Sequence, residues 1–183
     1  MKLRTAGRVL LLLVLIRWTW LFLVWPMRQD VIGSSFLHLI NIPFHEAGHI
    51  LFAPFGDVVT ALGGSIAQVL IPIVCFVAFL TTNPNPFGAA VMAWWAGQNL
   101  MDVAVYINDA RALQLVLLGG QTGAEVEGHD WERILIAWGM LHRDHQIARA
   151  VQFVGEMLMI GALLWAVVIV IRERRVSTAV QPV

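Results

Sequence analysis

The sequence predicts an all-α polytopic membrane protein, a bundle of about five or six transmembrane helices, on three observations. Only 13% of the 183 residues are charged, whereas a soluble domain carries about 25%. Apolar residues make up 58% of the chain and concentrate in runs long enough to cross a bilayer. The 8 tryptophans suit the membrane interfaces, since indole has an apolar body and one polar donor. We expect one integral membrane domain over residues 1–175 and a disordered tail over 176–183.

Charge and cysteine content exclude two classes of protein. The formal net charge is zero, which argues against a nucleic-acid partner. The chain has 1 cysteine, so an internal disulfide framework is excluded. That residue, Cys75, lies in an apolar run, where a buried hydrophobic role is expected.

The first apolar run covers residues 9–27 and follows Lys2, Arg4 and Arg8. A cleaved signal peptide is the competing interpretation. The run is too long for an ordinary signal core, is rich in tryptophan and lacks a small-x-small cleavage site, so a retained first span is expected. Arg17 in its middle must pair or extend toward the interface. The positive-inside rule places the N-terminus in the cytoplasm.

The second expected span, residues 31–55, contains the pattern H-E-x-x-H at His45, Glu46 and His49. Positions i and i+4 share a helix face, so the two histidines can bind one metal ion, for which zinc is the typical choice. Glu46 lies about 100° round the helix, where it can take a proton from an attacking water without binding the metal. The alternative is two core histidines with a paired glutamate, but a polar stripe in a membrane helix should face the bundle interior.

Other residues of the second span, and the first residues of the third span, also have predicted roles. His38 is expected to be a hydrogen-bonded interior histidine, and Pro43 is expected to kink the helix or to start a new segment. The third span, residues 63–80, opens with two glycines that allow close backbone approach. Ser65 and Gln68 share a face there, either for interhelical hydrogen bonds or as part of the site.

The fourth span, residues 87–111, carries a second polar stripe that includes Asp102 and Asp109. Two carboxylates in one span are costly, although Asp102 pairing with Arg17 and Asp109 with Arg111 would be a purely structural account. The second and fourth spans are expected to run in the same direction, from outside to inside. His45, His49 and both aspartates would then fall in the inner half of the bilayer.

The rest of the chain is predicted with less detail. A glycine-rich connector over residues 112–128 leads to Asp130, which suits a helix N-cap, and to a short apolar segment over 131–141. His129 remains a candidate ligand or substrate contact. The last span, residues 149–171, ends in the basic stretch 172–175, and the side of the membrane that holds this stretch is left open.

A membrane-embedded H-E-x-x-H helix, a glycine-led third helix and an aspartate on a fourth helix resemble the site-2 protease family of intramembrane zinc metalloproteases. The resemblance covers roughly residues 31–111 and matches His45, Glu46 and His49 to that family's motif. The family's G-P-x-x-N pattern is similar to Gly64-Ser65-Ile66-Ala67-Gln68, with Ser for Pro and Gln for Asn. Its N-x-x-P-x-x-x-x-D-G pattern corresponds to the stretch from Asn99 to Asp109, where the proline and glycine are absent and the spacing is longer.

The resemblance implies a third ligand for zinc, and Asp109 is chosen over Asp102 and His129. Two histidines alone leave zinc under-coordinated, because catalytic sites normally use three protein ligands. Asp109 and Asp102 are seven residues apart, about 10 Å along the helix axis, so one small site cannot use both. Asp109 lies near the inner end of its span, and Asp102 would then hold a histidine N–H from outside the metal shell.

Three functions are compatible with these patterns. The leading one is an intramembrane zinc metallopeptidase that cuts membrane-associated proteins or peptides, with Glu46 as the base. The second is a non-proteolytic scaffold or sensor that keeps the fold, and the third is a transporter lined by the polar stripes. The partners expected are the lipid bilayer and a membrane-protein or peptide substrate. The expected location is a bacterial cytoplasmic membrane.

Overall fold

The computed structural model describes residues 3–25 and 27–179, and this part of the chain is all-helical apart from one isolated β-bridge between Val116 and Thr122. The all-α prediction is therefore confirmed. The helices are α1 (Leu3–Val24), α2 (Gln29–Ile32), α3 (Phe36–Phe52), α4 (Asp57–Thr81), α5 (Pro86–Asn108), α6 (Asp130–Ala137) and α7 (Asp144–Ala179), with 3-10 turns at Ala53–Phe55 and Leu141–Arg143.

The last helix extends beyond the basic stretch that follows the expected final span. α7 continues through residue 179, into the segment expected to be a disordered tail, and residues 180–183 lie outside the described part.

Local sequence signals account for the helix ends near the site. The Ser35 hydroxyl accepts the His38 backbone N–H at 3.2 Å and caps the start of α3. α3 ends where a 3-10 turn and Gly56, at φ +93°, redirect the chain into α4. The Asn85 side chain accepts the Gly88 N–H at 3.1 Å, with proline at the first helical position of α5.

Many large apolar side chains are exposed, and several polar side chains are buried. By length and apolar composition, three helical segments are able to cross a membrane: 3–24, 57–81 and 141–175. Leu10 on α1 and Leu164 on α7 are 65% and 63% exposed, whereas Gln98 and Asn99 of α5 are fully buried. This arrangement is consistent with a membrane protein, because a soluble protein normally places apolar groups inside.

Contacts between the long helices fix their directions. The Arg8 guanidinium lies over the Phe87 ring, and the Thr19 hydroxyl accepts the Trp94 indole N–H at 2.7 Å, so α1 and α5 run the same way. α7 runs the opposite way, because its end reaches Arg8 through Glu173. α4 also runs opposite to α5, to which the short turn 82–85 joins it. The start of α1 and the end of α7 therefore lie at one end of the bundle, the terminal end, and the segments 27–35, 53–56 and 109–143 lie at the other, the loop end.

α3 differs from the expected second span. It has 17 residues, and it begins and ends at the loop end, because the end of α1 and the start of α4 both lie there. A cap at Ser35 and the turn around Gly56 limit this helix to residues 36–52, which is shorter than the expected span 31–55. The expectation that the fourth span runs from outside to inside, opposite to the first, is wrong, since α5 runs in the direction of α1. The number of helices that cross a bilayer stays a prediction.

Glycines let two helix pairs approach to backbone contact. A Cβ on Gly48 of α3 would lie 2.2 Å from the Gly63 carbonyl oxygen of α4, so neither position has room for a side chain. Gly97 and Gly155 make the corresponding contact between α5 and α7, where a Cβ on either would lie 2.8 Å from the other's oxygen. The close approach predicted at the start of the third span is confirmed, and it fixes α3 against α4.

Candidate metal centre

His45, His49 and Asp130 form a cluster in which one ligand atom from each lies within 4.8 Å of the others. The Asp130 carboxylate oxygen Oδ2 is 3.2 Å from His45 Nε2 and 3.3 Å from His49 Nε2. The two imidazole rings lie with centroids 4.8 Å apart, as the i, i+4 spacing on α3 predicts. The predicted pairing of the two histidines is therefore present, and a carboxylate from α6 completes a group of three.

The hydrogen bonds of the two imidazoles fix which nitrogen faces the cluster. His45 Nδ1 lies 3.0 Å from Gln68 Oε1, and His49 Nδ1 lies 2.9 Å from the Thr60 carbonyl oxygen. Both partners can only accept, so each Nδ1 carries a hydrogen. Each Nε2 then faces the other ring and the Asp130 carboxylate, where a bound metal ion would take the place of the Nε2 hydrogen that donates to the carboxylate.

The spacing of this group suits a tetrahedral zinc ion. Zinc binds histidine nitrogen at about 2.0–2.1 Å and carboxylate oxygen at about 2.0–2.2 Å, so adjacent ligand atoms of a tetrahedron lie about 3.3–3.5 Å apart. The separations of 3.2 and 3.3 Å between Asp130 Oδ2 and the two Nε2 atoms are close to that edge length. Two neutral imidazoles and one carboxylate are also a ligand set that zinc uses in catalytic sites.

Asp130 is held in the ionised state that a ligand needs. Burial alone would raise the pKa of its carboxyl, but hydrogen bonds with His45 and His49 outweigh burial and lower the pKa to about 2. At neutral pH the Asp130 carboxylate therefore carries its negative charge beside the two rings. A divalent cation would be attracted to the same place.

Tertiary contacts bring Asp130 to the histidines from a distant part of the chain. The Trp131 indole N–H donates to the Ser65 hydroxyl at 3.1 Å, which fixes α6 to α4. The Tyr106 hydroxyl accepts the Asp130 backbone N–H at 3.0 Å and lies 3.3 Å from Asp130 Oδ2. Tyr106 thus fixes both the main chain and the side chain of Asp130, and its ring centroid lies 6.0 Å from that of His45.

Glu46 lies beside the cluster and is half-buried. Its charge acts on both His49 and Tyr106, which places it near the cluster. Among the described residues its carboxylate makes no hydrogen bond or ion pair. A carboxylate in that position is available to accept a proton from a molecule in the site.

The expected third ligand, Asp109, lies elsewhere. Its two carboxylate oxygens accept the backbone N–H groups of Gln114 and Leu115 at 3.0 and 2.9 Å, directly after the end of α5. Asp109 therefore closes the turn that follows α5. The proposed pairing of Asp109 with Arg111 is absent, because Arg111 binds Asp144 at 2.7 Å.

His129 is also not among the grouped ligands. Its Nδ1 accepts the Glu132 N–H at 3.2 Å and caps α6, so its Nε2 carries the hydrogen and faces Asp109 Oδ2 at 3.4 Å. The expectation that Asp130 would be the N-cap of this helix is wrong: His129 takes that position, and Asp130 is thereby turned toward the histidines.

Asp102 acts on the cluster through an intermediate residue. Its Oδ2 accepts the Gln68 amide N–H at 2.8 Å, and Gln68 in turn accepts the His45 Nδ1–H. Asp102 also contacts the His38 Nδ1 atom at 2.8 Å, which confirms that His38 is hydrogen-bonded, although its side chain is 34% exposed and not fully interior. The pairing of Asp102 with Arg17 is not the arrangement found. The chain from Asp102 through Gln68 orients the His45 ring.

Gly64 provides the space in which the two rings lie. A Cβ at this position would be 2.6 Å from His45 Nε2 and 2.7 Å from His49 Nε2. Those two atoms are at the far ends of side chains, so a methyl group at Gly64 would displace the rings and leave the backbone in place.

We expect Gly64→Ala to abolish zinc binding while the protein stays folded. Alanine is favoured over glycine in a helix by about 1 kcal/mol, so the backbone of α4 should not be weakened. Zinc content of purified protein by elemental analysis is the measurement. Gly161→Ala on α7 is the matched control, because a Cβ there meets nothing within 4 Å. Normal zinc content in Gly64→Ala would show that the metal does not lie between these rings.

Comparisons of the chain with protein-family models, with curated protein sequences and with solved structures give no match in any of the three. The candidate site therefore rests on its own geometry.

The sequence did not identify Tyr106 and Asp130 as residues of the metal site. Both were visible as polar positions, Tyr106 on the stripe of the fourth span and Asp130 at the start of an apolar segment. The available signal was that Asp130 and His129 precede a segment too short to cross a membrane, which therefore has to dock on the bundle.

Proposed function

We propose that the protein is an integral membrane zinc metallopeptidase, with zinc bound by His45, His49 and Asp130. The observation that carries the proposal is the grouping of two Nε2 atoms and one carboxylate oxygen within 4.8 Å of one another, with the carboxylate oxygen 3.2 and 3.3 Å from the two nitrogens. Three protein ligands leave a fourth position for the reactants, which distinguishes a catalytic from a structural zinc site.

The chemistry divides between the metal and the protein. A zinc ion in such a site acidifies a water molecule and polarises a carbonyl oxygen. Glu46 accepts the proton of the attacking water and passes it to the leaving amine of the cleaved peptide bond. Gln68 and the Thr60 carbonyl hold the two imidazole rings in the required tautomer, and Tyr106 holds Asp130.

Membrane insertion supports a membrane-associated substrate. Three helical segments have the length and apolar character to cross a bilayer, and their outward side chains are largely apolar. The cluster lies at the loop end of the bundle, where α6 brings Asp130 to the two histidines. A peptide substrate would approach from that end.

We expect about one equivalent of zinc in the purified protein and none in the double variant His45→Ala/His49→Ala. Elemental analysis after detergent purification and dialysis gives the stoichiometry. His142→Ala is the control, because His142 is exposed and belongs to the turn before α7. Equal zinc in the unaltered protein and in the double variant would overturn the proposal, and it would favour a scaffold or a transporter.

A further inference from the structure

The position of the candidate site along the bundle has a consequence for the side of the membrane on which it works. His45, His49 and Asp130 lie at the loop end, beside the end of α5 and the start of α4. The start of α1 and the end of α7 lie at the terminal end, since Arg8 contacts Glu173 and lies over Phe87. The site and these two helix ends are therefore at opposite ends of the described structure.

Basic residues at the two terminal helices favour one orientation. Lys2, Arg4 and Arg8 precede the apolar part of α1, and only Arg28 follows it closely. The first helix usually dominates the positive-inside rule. At α7 the terminal-end flank has three arginines, at 172, 174 and 175, against two at the loop-end flank, at 143 and 149.

The net charge of the two ends agrees with this orientation. Among described side chains, the terminal end combines five arginines with the single carboxylate of Glu173. The loop end combines five arginines with seven carboxylates: Asp57, Asp109, Glu125, Glu127, Asp130, Glu132 and Asp144. The cytoplasmic leaflet carries anionic lipids, which attract the positive end and repel the negative one.

We propose that the metal centre opens on the non-cytoplasmic side of the membrane, and that its substrates are peptide bonds in the segments of membrane proteins next to the bilayer on that side. The choice of substrate rests on the proposed function, whereas the orientation rests on the helix directions and the charges alone.

The orientation is tested by labelling single cysteines with a membrane-impermeant maleimide. Cys75→Ala provides a cysteine-free background, and Glu46→Gln is added so that the result is independent of activity. Leu118→Cys reports the loop end and Leu3→Cys the terminal end, at positions that are 67% and 90% exposed. Leu118→Cys should label fully in intact spheroplasts. Leu3→Cys should stay unlabelled in intact spheroplasts and should label after lysis.

Each other result has a defined meaning. Labelling of Leu3→Cys alone in spheroplasts would show the opposite orientation and would overturn the proposal. Equal labelling of both variants would show that the protein inserts in both orientations, which also overturns it. The side of the membrane on which substrates are cut is tested with a reporter protein that has one membrane span and the same cleavable sequence on each side of it. Only the sequence on the non-cytoplasmic side should be cut. Correct labelling with no cleavage on either flank would reject the proposed activity and leave the orientation standing.

Discussion

Glu46→Gln is expected to reduce peptide-bond cleavage by about 10²-fold or more and to leave zinc binding intact. Removing a general base typically costs 10²–10⁴-fold in rate. Glutamine keeps the shape of the side chain and loses only the basic group. Glu46 is half-buried beside the cluster and is not one of the three grouped ligand atoms, so metal content should not depend on it. The measurements are initial cleavage rates of a membrane-bound reporter and zinc content of the same preparation.

Glu127→Gln is the matched control, because it makes the same chemical change at an exposed position in the segment before α6. It should cleave at the normal rate. Loss of zinc in Glu46→Gln would make Glu46 a ligand, and a normal cleavage rate would remove it from the reaction. Either result contradicts the role assigned to it.

Asp130→Asn should weaken zinc binding far more than Asp109→Asn. Loss of an outer partner of a metal ligand costs 10–100-fold in affinity, and loss of a ligand should exceed that range. Asparagine at 130 keeps the size of the side chain but removes the negative charge that lies 3.2 and 3.3 Å from the two imidazole nitrogens. Asparagine at 109 keeps an acceptor oxygen for the backbone N–H of Gln114 or Leu115.

Competition with a zinc chelator of known affinity measures both variants under the same conditions. The order of the two losses decides between the ligand that the sequence favours and the one that the structure groups with the histidines. A larger loss in Asp109→Asn than in Asp130→Asn would restore Asp109 as the ligand and would require α6 to move away from the site.

Helical periodicity was enough to predict the part of the site that lies on one helix. The spacing of His45 and His49 fixes their shared face, and the glycines at 63 and 64 indicate where another backbone approaches. These are short-range consequences of the chain, so they hold in any fold that keeps α3 and α4 helical.

The third member of the cluster could not be predicted in this way. Asp130 reaches the histidines because Trp131 binds Ser65 and because Tyr106 holds the Asp130 main chain, and these contacts depend on how the 21 residues 109–129 fold back. The local sequence indicates only a helix start near 130. The length of α3 was missed for a different reason, since a continuous apolar run does not show where capping and turn residues end its helix.

The docking of α6 on α3 and α4 makes the site a long-range cross-link. His45 and Asp130 are 85 residues apart, so the α3–α4 pair can form from neighbouring sequence whereas the complete cluster requires most of the chain. A metal bound at this point joins the early and late halves of the sequence, much as a disulfide would, and it binds only the assembled state. Zinc supply would then contribute to the free energy of folding, by about 2.7 kcal/mol at a free concentration 100 times the Kd.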